Sequence, residues 1–242
     1  MLKNVIGLMS GTSIDGIDAA FLKTDGLFHV EAGEAITVPY AVDFRKTLSE
    51  LVSSGMQSKT VEEQITVKHA EVISQLLKKT KTAVDEIDLI GFHGHTIYHK
   101  PAQRKTLQIG DGELLAKLTG VDVVCDFRSN DVKHGGQGAP LVPLYHQALA
   151  VRLEKPLAIL NLGGVANITW LGHKDELLAF DTGPGNALLD DYMDMHLGEK
   201  QDTGGKLALS GKVDQSSLST FLEHSYFSKK SPKSLDRNEF DL

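Results

Sequence analysis

The sequence predicts an α/β fold with mixed sheets, arranged as two successive halves. Each half opens on a glycine-hinged pair of apolar strands, Val5–Met9 with Ile17–Leu22 and then Leu157–Leu162 with Val165–Leu171. After each pair the apolar residues alternate between helical and strand spacing. The pattern restarts at Lys155-Pro156, which puts the boundary near Glu154 and the two lobes at residues 1–154 and 155–242.

In the first half, Ser10-Gly11-Thr12-Ser13 is turn chemistry between the two strands, and Thr24-Asp25-Gly26 is a hairpin signal ahead of Phe28-His29-Val30. Apolar residues at helical spacing predict helices over Phe44–Val52 and Val61–Leu77, separated by the polar stretch Ser53–Thr60. Short strands follow at Leu89–Phe92 and Leu107–Gly110, then a helix over Glu113–Leu118 and a strand at Val121–Cys125. The loop Gly135–Pro140 opens a helix to about Leu153, with Pro140 in its first turn, where a missing N–H costs nothing. In the second half a third strand, Glu176–Phe180, ends at the loop Asp181–Asn186, which enters a helix over Ala187–Leu197. Trp170, on its strand, reads as core.

Composition narrows the function. With 242 residues, 41% hydrophobic and 24% charged, the chain has material for one large core or two modest ones. A formal charge of −7 gives no footprint for a nucleic-acid backbone, and the densest basic patch, Lys229–Lys230 beside Lys233, reads as solvated surface. The single cysteine, Cys125, supplies neither an intrachain disulfide nor a multi-thiolate metal site, which fits a reducing compartment. The first residues lack a signal-peptide pattern, and no run of about 18 apolar residues offers a membrane span. The expectation is a soluble, intracellular protein.

Four segments carry chemistry. In Gly11-Thr12-Ser13-Ile14-Asp15-Gly16-Ile17-Asp18, two glycines and two hydroxyls at a strand-to-strand turn suit backbone N–H groups facing an anion, and a side chain at Gly11 would block that approach. Asp15 suits a magnesium ion held through water. There is no P-loop, and a plain Gly-rich hairpin is the other reading, although it does not explain two acids. In Asp126-Phe127-Arg128-Ser129-Asn130-Asp131 the arginine fork either orients a carboxylate- or hydroxyl-bearing ligand or braces the loop as an internal ion pair. The turn Gly163-Gly164, flanked by Asn161 and Asn167, repeats the first hairpin's logic as a second phosphate clamp or a sugar contact, the alternative being a simple tight hairpin, which would not need both asparagines. Asp181, at a strand end ahead of a helix, suits a general base, the alternative being an Asx bond that organises the turn. His93, His95 and His99 lack the further ligands a metal site needs, so none is assigned a metal; His93 reads as a polar contact and His99 as surface.

Taken in order, GLMSGTSIDGID at 7–18, GFHGHTIYH at 91–99, DFRSNDV at 126–132, GGQGAPLVP at 135–143, NLGGVANI at 161–168, FDTGPGN at 180–186 and SPKSLDRNEF at 231–240 closely resemble the anhydro-N-acetylmuramic acid kinases. The resemblance implies the two-lobed actin-like sugar-kinase fold, which is ribonuclease H-like in each lobe. It implies an ATP- and Mg2+-dependent kinase that opens the 1,6-anhydro bridge of a muramic sugar with water and phosphorylates the freed O6, in peptidoglycan recycling in the cytoplasm. Gly11–Asp18 would be the ATP-phosphate hairpin, with Gly163, Gly164 and Asn167 as the second clamp. Asp181 would be the base, and His93, Gln108, Asp126, Arg128 and Asn186 would line the sugar pocket. Its partners would be the anhydro-sugar and ATP, with neither nucleic acid nor membrane, and a homodimer is compatible. His95 departs from the family, which commonly has Gln there. Members continue beyond the point matching Leu242 into a Gly-rich adenosine loop, so the expectation is the N-terminal two-thirds with an incomplete second lobe. The alternatives are a non-catalytic nucleotide or muropeptide-binding module on the same fold and an inactive fragment.

Overall fold

The computed structural model describes residues 1–174, 176–235 and 239–240, and the chain is mixed α/β. By packing it divides into two compact units, Met1–Gly138 and Ala139–Leu242.

The first unit opens on an antiparallel meander of β1 (Lys3–Ser10), β2 (Gly16–Thr24) and β3 (Val30–Pro39). Two helices, α1 (Val42–Ser54) and α2 (Lys59–Thr80), carry the chain to β4 (Leu89–Lys100), which lies parallel to β1. Next come β5 (Lys105–Ile109), antiparallel to β4, then α3 (Gly112–Thr119), β6 (Val123–Cys125), parallel to the first part of β4, and α4 (Ser129–Lys133). The order β3-β2-β1-β4 with β6 parallel to β4, a meander leading into parallel strands through helical crossovers, is the ribonuclease H-like arrangement the motifs imply, and β5 is an antiparallel addition to the far part of β4.

The sequence dictates these helices locally. Ser58 caps α2 by accepting the Val61 N–H, and α1 ends where Gly55 turns left-handed at φ 66°. The periodic residues Ile65, Val72, Ile73 and Leu76 of α2 form one buried cluster with Ile6, Ile90 and Phe92 of the sheet. Each such burial contributes roughly 1.5–3 kcal/mol, which makes this cluster the first unit's stabilising mass.

The second unit runs through α5 (Pro143–Leu149), β7 (Leu157–Leu162), β8 (Val165–Leu171), β9 (Leu177–Pro184), α6 (Ala187–Leu197), α7 (Lys206–Ser210), α8 (Gln215–Leu222) and α9 (Ser225–Ser228). Strands β7, β8 and β9 form an antiparallel meander like that of β1–β3. Among the described residues no parallel strand joins it, and Leu160 and Leu162 of its edge strand are 57% and 60% exposed. Its compact apolar group is small: Tyr226, Leu235 and Phe240, backed by Val165, Leu188 and Phe227.

Several expectations need correction. The chain divides at Gly138/Ala139 rather than near Glu154, because α5 belongs with β8 and β9, and His146 Nδ1 lies 2.9 Å from Thr169 Oγ1. The first-turn proline of α5 is Pro143, not Pro140. β4 runs past Phe92 to Lys100, since a left-handed Gly94 lets it bulge and continue. β9 runs to Pro184, so Asp181 lies within a strand and not in a loop at its end. Trp170 is 38% exposed, because Thr169 and Leu171 take the inward positions on either side of it.

Candidate active site

In the first unit, the turn from β1 to β2 holds Gly11 to Asp15, and the Ile14 N–H bonds Gly11 O at 3.1 Å. Thr12, Ser13, Asp15 and Asp18 are exposed, whereas Ile17 is buried in the core and Ile14 packs against it. Ile14 and Ile17 therefore offer a ligand only backbone. The left-handed residue of the turn is Ile14, at φ 52°, and not Gly11, whose Cβ position would meet only Ser13 Oγ, at 3.5 Å. Gly16 is required for a different reason: a Cβ there would lie 2.5 Å from Val38 O on β3. Ser13 Oγ donates to Asp15 Oδ1 at 2.8 Å, and Thr37 Oγ1 donates to Asp18 Oδ1 across the β2–β3 pair at 2.5 Å. Behind the turn, Ser10 Oγ sits 2.7 Å from Tyr40 Oη and 2.8 Å from His95 Nδ1, all three being buried. The Tyr40 N–H reaches Asp15 O at 3.0 Å, so Tyr40 ties down both ends of the turn.

His93 and Arg128 are brought together. Arg128 Nε donates to His93 Nε2 at 2.9 Å, and its NH1 donates to Gly138 O at 2.5 Å. With Nε2 accepting, His93 carries its proton on Nδ1, 3.0 Å from Gly94 O. Burial pushes the His93 pKa down, the bond to Gly94 O opposes it, and the Arg128 charge adds to the lowering, which favours the neutral ring. The internal ion pair considered for Arg128 is not among the ion pairs of the described residues. Asp126 is exposed at φ 57°, and Asp131 instead holds the loop, accepting the Gly138 N–H at 2.7 Å. Gln108 Nε2 donates to Thr106 Oγ1 at 2.8 Å, while its Oε1 is buried without a partner, an acceptor left open. His99 is half-buried rather than surface: Nδ1 meets Thr106 Oγ1 and Nε2 meets Gln137 O, both at 2.9 Å.

In the second unit, Asn161, Asn167 and Asp181 are direct cross-strand partners on β7, β8 and β9, so they form one polar row. Asn167 Oδ1 is buried and unpartnered. The Gly163-Gly164 turn is held through its carbonyls: Gly163 O accepts the Asn186 N–H at 2.7 Å, and Gly164 O accepts the Gly185 N–H at 2.9 Å. A Cβ on Gly185 would collide with Gly163 O, so close approach of the two loops requires glycine. The Asn186 side chain is used in the same brace, donating to Leu162 O at 2.8 Å.

The sequence reading missed what surrounds Asp181. The Leu235 N–H donates to Asp181 Oδ2 at 2.8 Å, Tyr226 Oη donates to Asp181 O at 2.7 Å, and the Asp181 N–H reaches Lys233 O at 3.0 Å. Burial raises the Asp181 pKa, and the Leu235 N–H opposes it. In the basic patch Lys229 and Lys230 are exposed, as expected, and Lys233 is half-buried. Lys229 pairs with Glu239 at 2.8 Å, and Lys233 donates to Tyr226 O at 2.9 Å with its ammonium 4.4 Å from the Tyr226 ring centroid. The motif at 231–240 was the available signal, and Asp236, Arg237 and Asn238 in it lie outside the described residues.

The family described as anhydro-N-acetylmuramic acid kinase matches residues 3–242. A relative of that name from Paramagnetospirillum magneticum is 53% identical over 97% of this chain and 66% of its own length. One from Rhodospirillum rubrum is 49% identical, covering 98% of this chain and 64% of its own. One from Rhodopseudomonas palustris is 44% identical, covering 99% and 69%. The chain thus spans about two thirds of the length of these relatives.

Proposed function

Because the chain belongs to the anhydro-N-acetylmuramic acid kinase family, we propose that it serves ATP-dependent hydrolytic opening and 6-O-phosphorylation of 1,6-anhydro-N-acetylmuramic acid. The products are N-acetylmuramic acid 6-phosphate and ADP, and the reaction belongs to cytoplasmic peptidoglycan recycling. The observation that carries the reading is Asp181: a half-buried carboxylate fixed in mid-strand, its pKa raised by burial, in a row with two asparagines. Carboxylates so placed are candidates for proton transfer.

In this reading Asp181 takes a proton from a water that attacks the anomeric carbon. The bond from that carbon to the bridging oxygen breaks, and O6 becomes the nucleophile for the γ-phosphorus of ATP, with ADP leaving. Phosphoryl transfer then depends on alignment and charge neutralisation. The exposed turn Gly11–Asp15 suits β- and γ-phosphate oxygens, and Gly163 and Gly164, their carbonyls tied back, suit a second phosphate contact. Asn167 adds a neutral polar group beside the base. The exposed carboxylates of Asp15 and Asp18 are hard oxygen donors that fit Mg2+ through water, and the ion would supply charge neutralisation at the phosphates. Arg128, oriented by His93 Nε2 and Gly138 O, presents its remaining N–H groups as preorganised donors for sugar hydroxyls or the lactyl carboxylate, with Gln108 Oε1 an open acceptor and Asp126 an exposed one.

The test is ADP release that depends on the anhydro-sugar, with the product mass measured. Sugar-dependent ADP and a 6-phosphate product support the reading. ATP or muropeptide binding with no turnover, in this chain and in a version extended to the relatives' full length, would instead make it a binding module.

A further inference from the structure

We propose that the segment Tyr226–Leu235 is the holder of Asp181, in which the Leu235 backbone N–H fixes the carboxylate and the Tyr226 hydroxyl braces the strand beneath it. The proposal rests on the reading of Asp181 as the base and adds two positioning residues to it.

Three bonds converge on one residue from a segment far along the chain. They engage Asp181 Oδ2, its carbonyl oxygen and its own N–H, at 2.8, 2.7 and 3.0 Å. A strand residue ordinarily bonds its ladder neighbours. Here the β8–β9 register shifts between Ala166 and Asn167, and Asp181 turns its amide to Lys233. β-bulges of this kind re-aim a side chain beside active sites.

The segment is itself immobilised. Tyr226 is fully buried, edge-on to Phe227 and Phe240 at 6.3 and 6.2 Å between centroids. Lys233 returns to the Tyr226 carbonyl, and Lys229 lies 5.0 Å from the ring while pairing with Glu239. Among the described residues no ion pair reaches Asp181; the Tyr226 phenol meets its carbonyl, and Lys229, paired with Glu239, and Lys233 lie against that ring.

The chemistry explains why such a holder is useful. A base works only if its oxygen is held within hydrogen-bond reach of the proton it takes. An N–H on one carboxylate oxygen fixes the plane of the group and favours its ionised form against desolvation.

Two measurements test this. Replacing the 234–235 amide by an ester removes the N–H and weakens the residue 234 carbonyl as an acceptor, whereas Leu235→Ala keeps the N–H and removes the side chain. The Asp181 carboxyl is titrated by 13C NMR, its signal assigned by its loss in Asp181→Asn. The ester should move the midpoint upward, and Leu235→Ala should leave it in place. An unmoved midpoint in the ester, or equal shifts in both, overturns the proposal. Tyr226→Phe should speed hydrogen exchange at the Leu235 amide about fivefold, from the loss of one bond of roughly 1 kcal/mol. Unchanged protection there removes Tyr226 from the holder, whether or not the ester variant folds. None of these readouts needs turnover, so the holder and the base reading can fail separately: the base reading fails if Asp181→Asn retains activity.

Discussion

Replacing Gly94 by alanine should destabilise the first unit by about 2–5 kcal/mol, from two terms. Gly94 sits at φ 69°, where an L-residue loses roughly 1–2 kcal/mol. Its Cβ would also run into the Ile109 carbonyl oxygen and lie 3.1 Å from that carbonyl carbon, so β5 must shift. Overpacking of this kind costs about 1–3 kcal/mol. The internal control is Gly91 on the same strand. Its φ is not left-handed, and a Cβ there would meet only Phe127 Cζ at 3.8 Å and Ile6 O at 4.0 Å. Gly91→Ala should be neutral or stabilising by about 0.5–1 kcal/mol, because alanine restricts the unfolded chain more than glycine does. Trp170 lies in the second unit, so tryptophan fluorescence is the wrong probe, and two units need not unfold as one. Native-state hydrogen exchange of β4 and β5 amides reads the first unit directly. If Gly94→Ala protects those amides as well as Gly91→Ala does, the account of the bulge is wrong.

Asp181→Asn should lower turnover about 10²–10⁴-fold while nucleotide binding stays near wild type, and retention of more than a tenth of the rate in steady-state assays excludes Asp181 as the base. Gly11→Val should weaken ATP binding measured by calorimetry while leaving the melting temperature nearly unchanged, because Gly11 is neither left-handed nor crowded. An ATP affinity equal to wild type would take the hairpin out of the phosphate site. Acid should destabilise the first unit through His69 and His95, both fully buried and pushed down to about 4 by desolvation. Their folded pKa values lie below the unfolded value of about 6.5, so the unfolded chain takes up protons first. The stability is complete above about pH 6.5 and is lost as pH falls towards 4, by roughly 3 kcal/mol per histidine at most. In denaturant titrations, His95→Gln should flatten that slope, and an unchanged slope would mean that His95 is not held neutral.

The parts legible in the sequence were those with local causes. The apolar period of Val61–Leu77 gave α2, and Ala187–Leu197 was read to its observed ends. The two glycine-hinged strand pairs gave the duplicated meander. Where the reading stopped short, a local signal pointed the wrong way. Histidines and Gly94 disguised the second half of β4, whose bulge sends His95 into the core and leaves His93 to meet Arg128. Gly-Pro-Gly after Asp181 read as a turn, yet β9 keeps pairing through Pro184 with Val165. Four exposed charged or small residues, Glu31, Ala32, Gly33 and Glu34, hid the length of β3, which is exposed along most of its run.

The two hairpins show why motif logic finds candidate sites but not their supports. Both read as glycines at a turn between apolar strands, the pattern proposed above to meet phosphate. The first turn is held from behind by Tyr40, which bonds Asp15 O with its N–H and meets Ser10 Oγ with its hydroxyl. The second is held by Gly185–Ala187, which occupy the Gly163 and Gly164 carbonyls. Neither support follows from spacing, because each depends on which face a residue presents after the sheet has formed. Asp181 extends the argument over a longer range. Its strand was readable, but its orientation depends on Tyr226 and Leu235, which meet it only once the small aromatic cluster has packed. A substitution in that cluster should therefore disturb Asp181 before it disturbs β7–β9, the reverse of what a base held by its own strand alone would give.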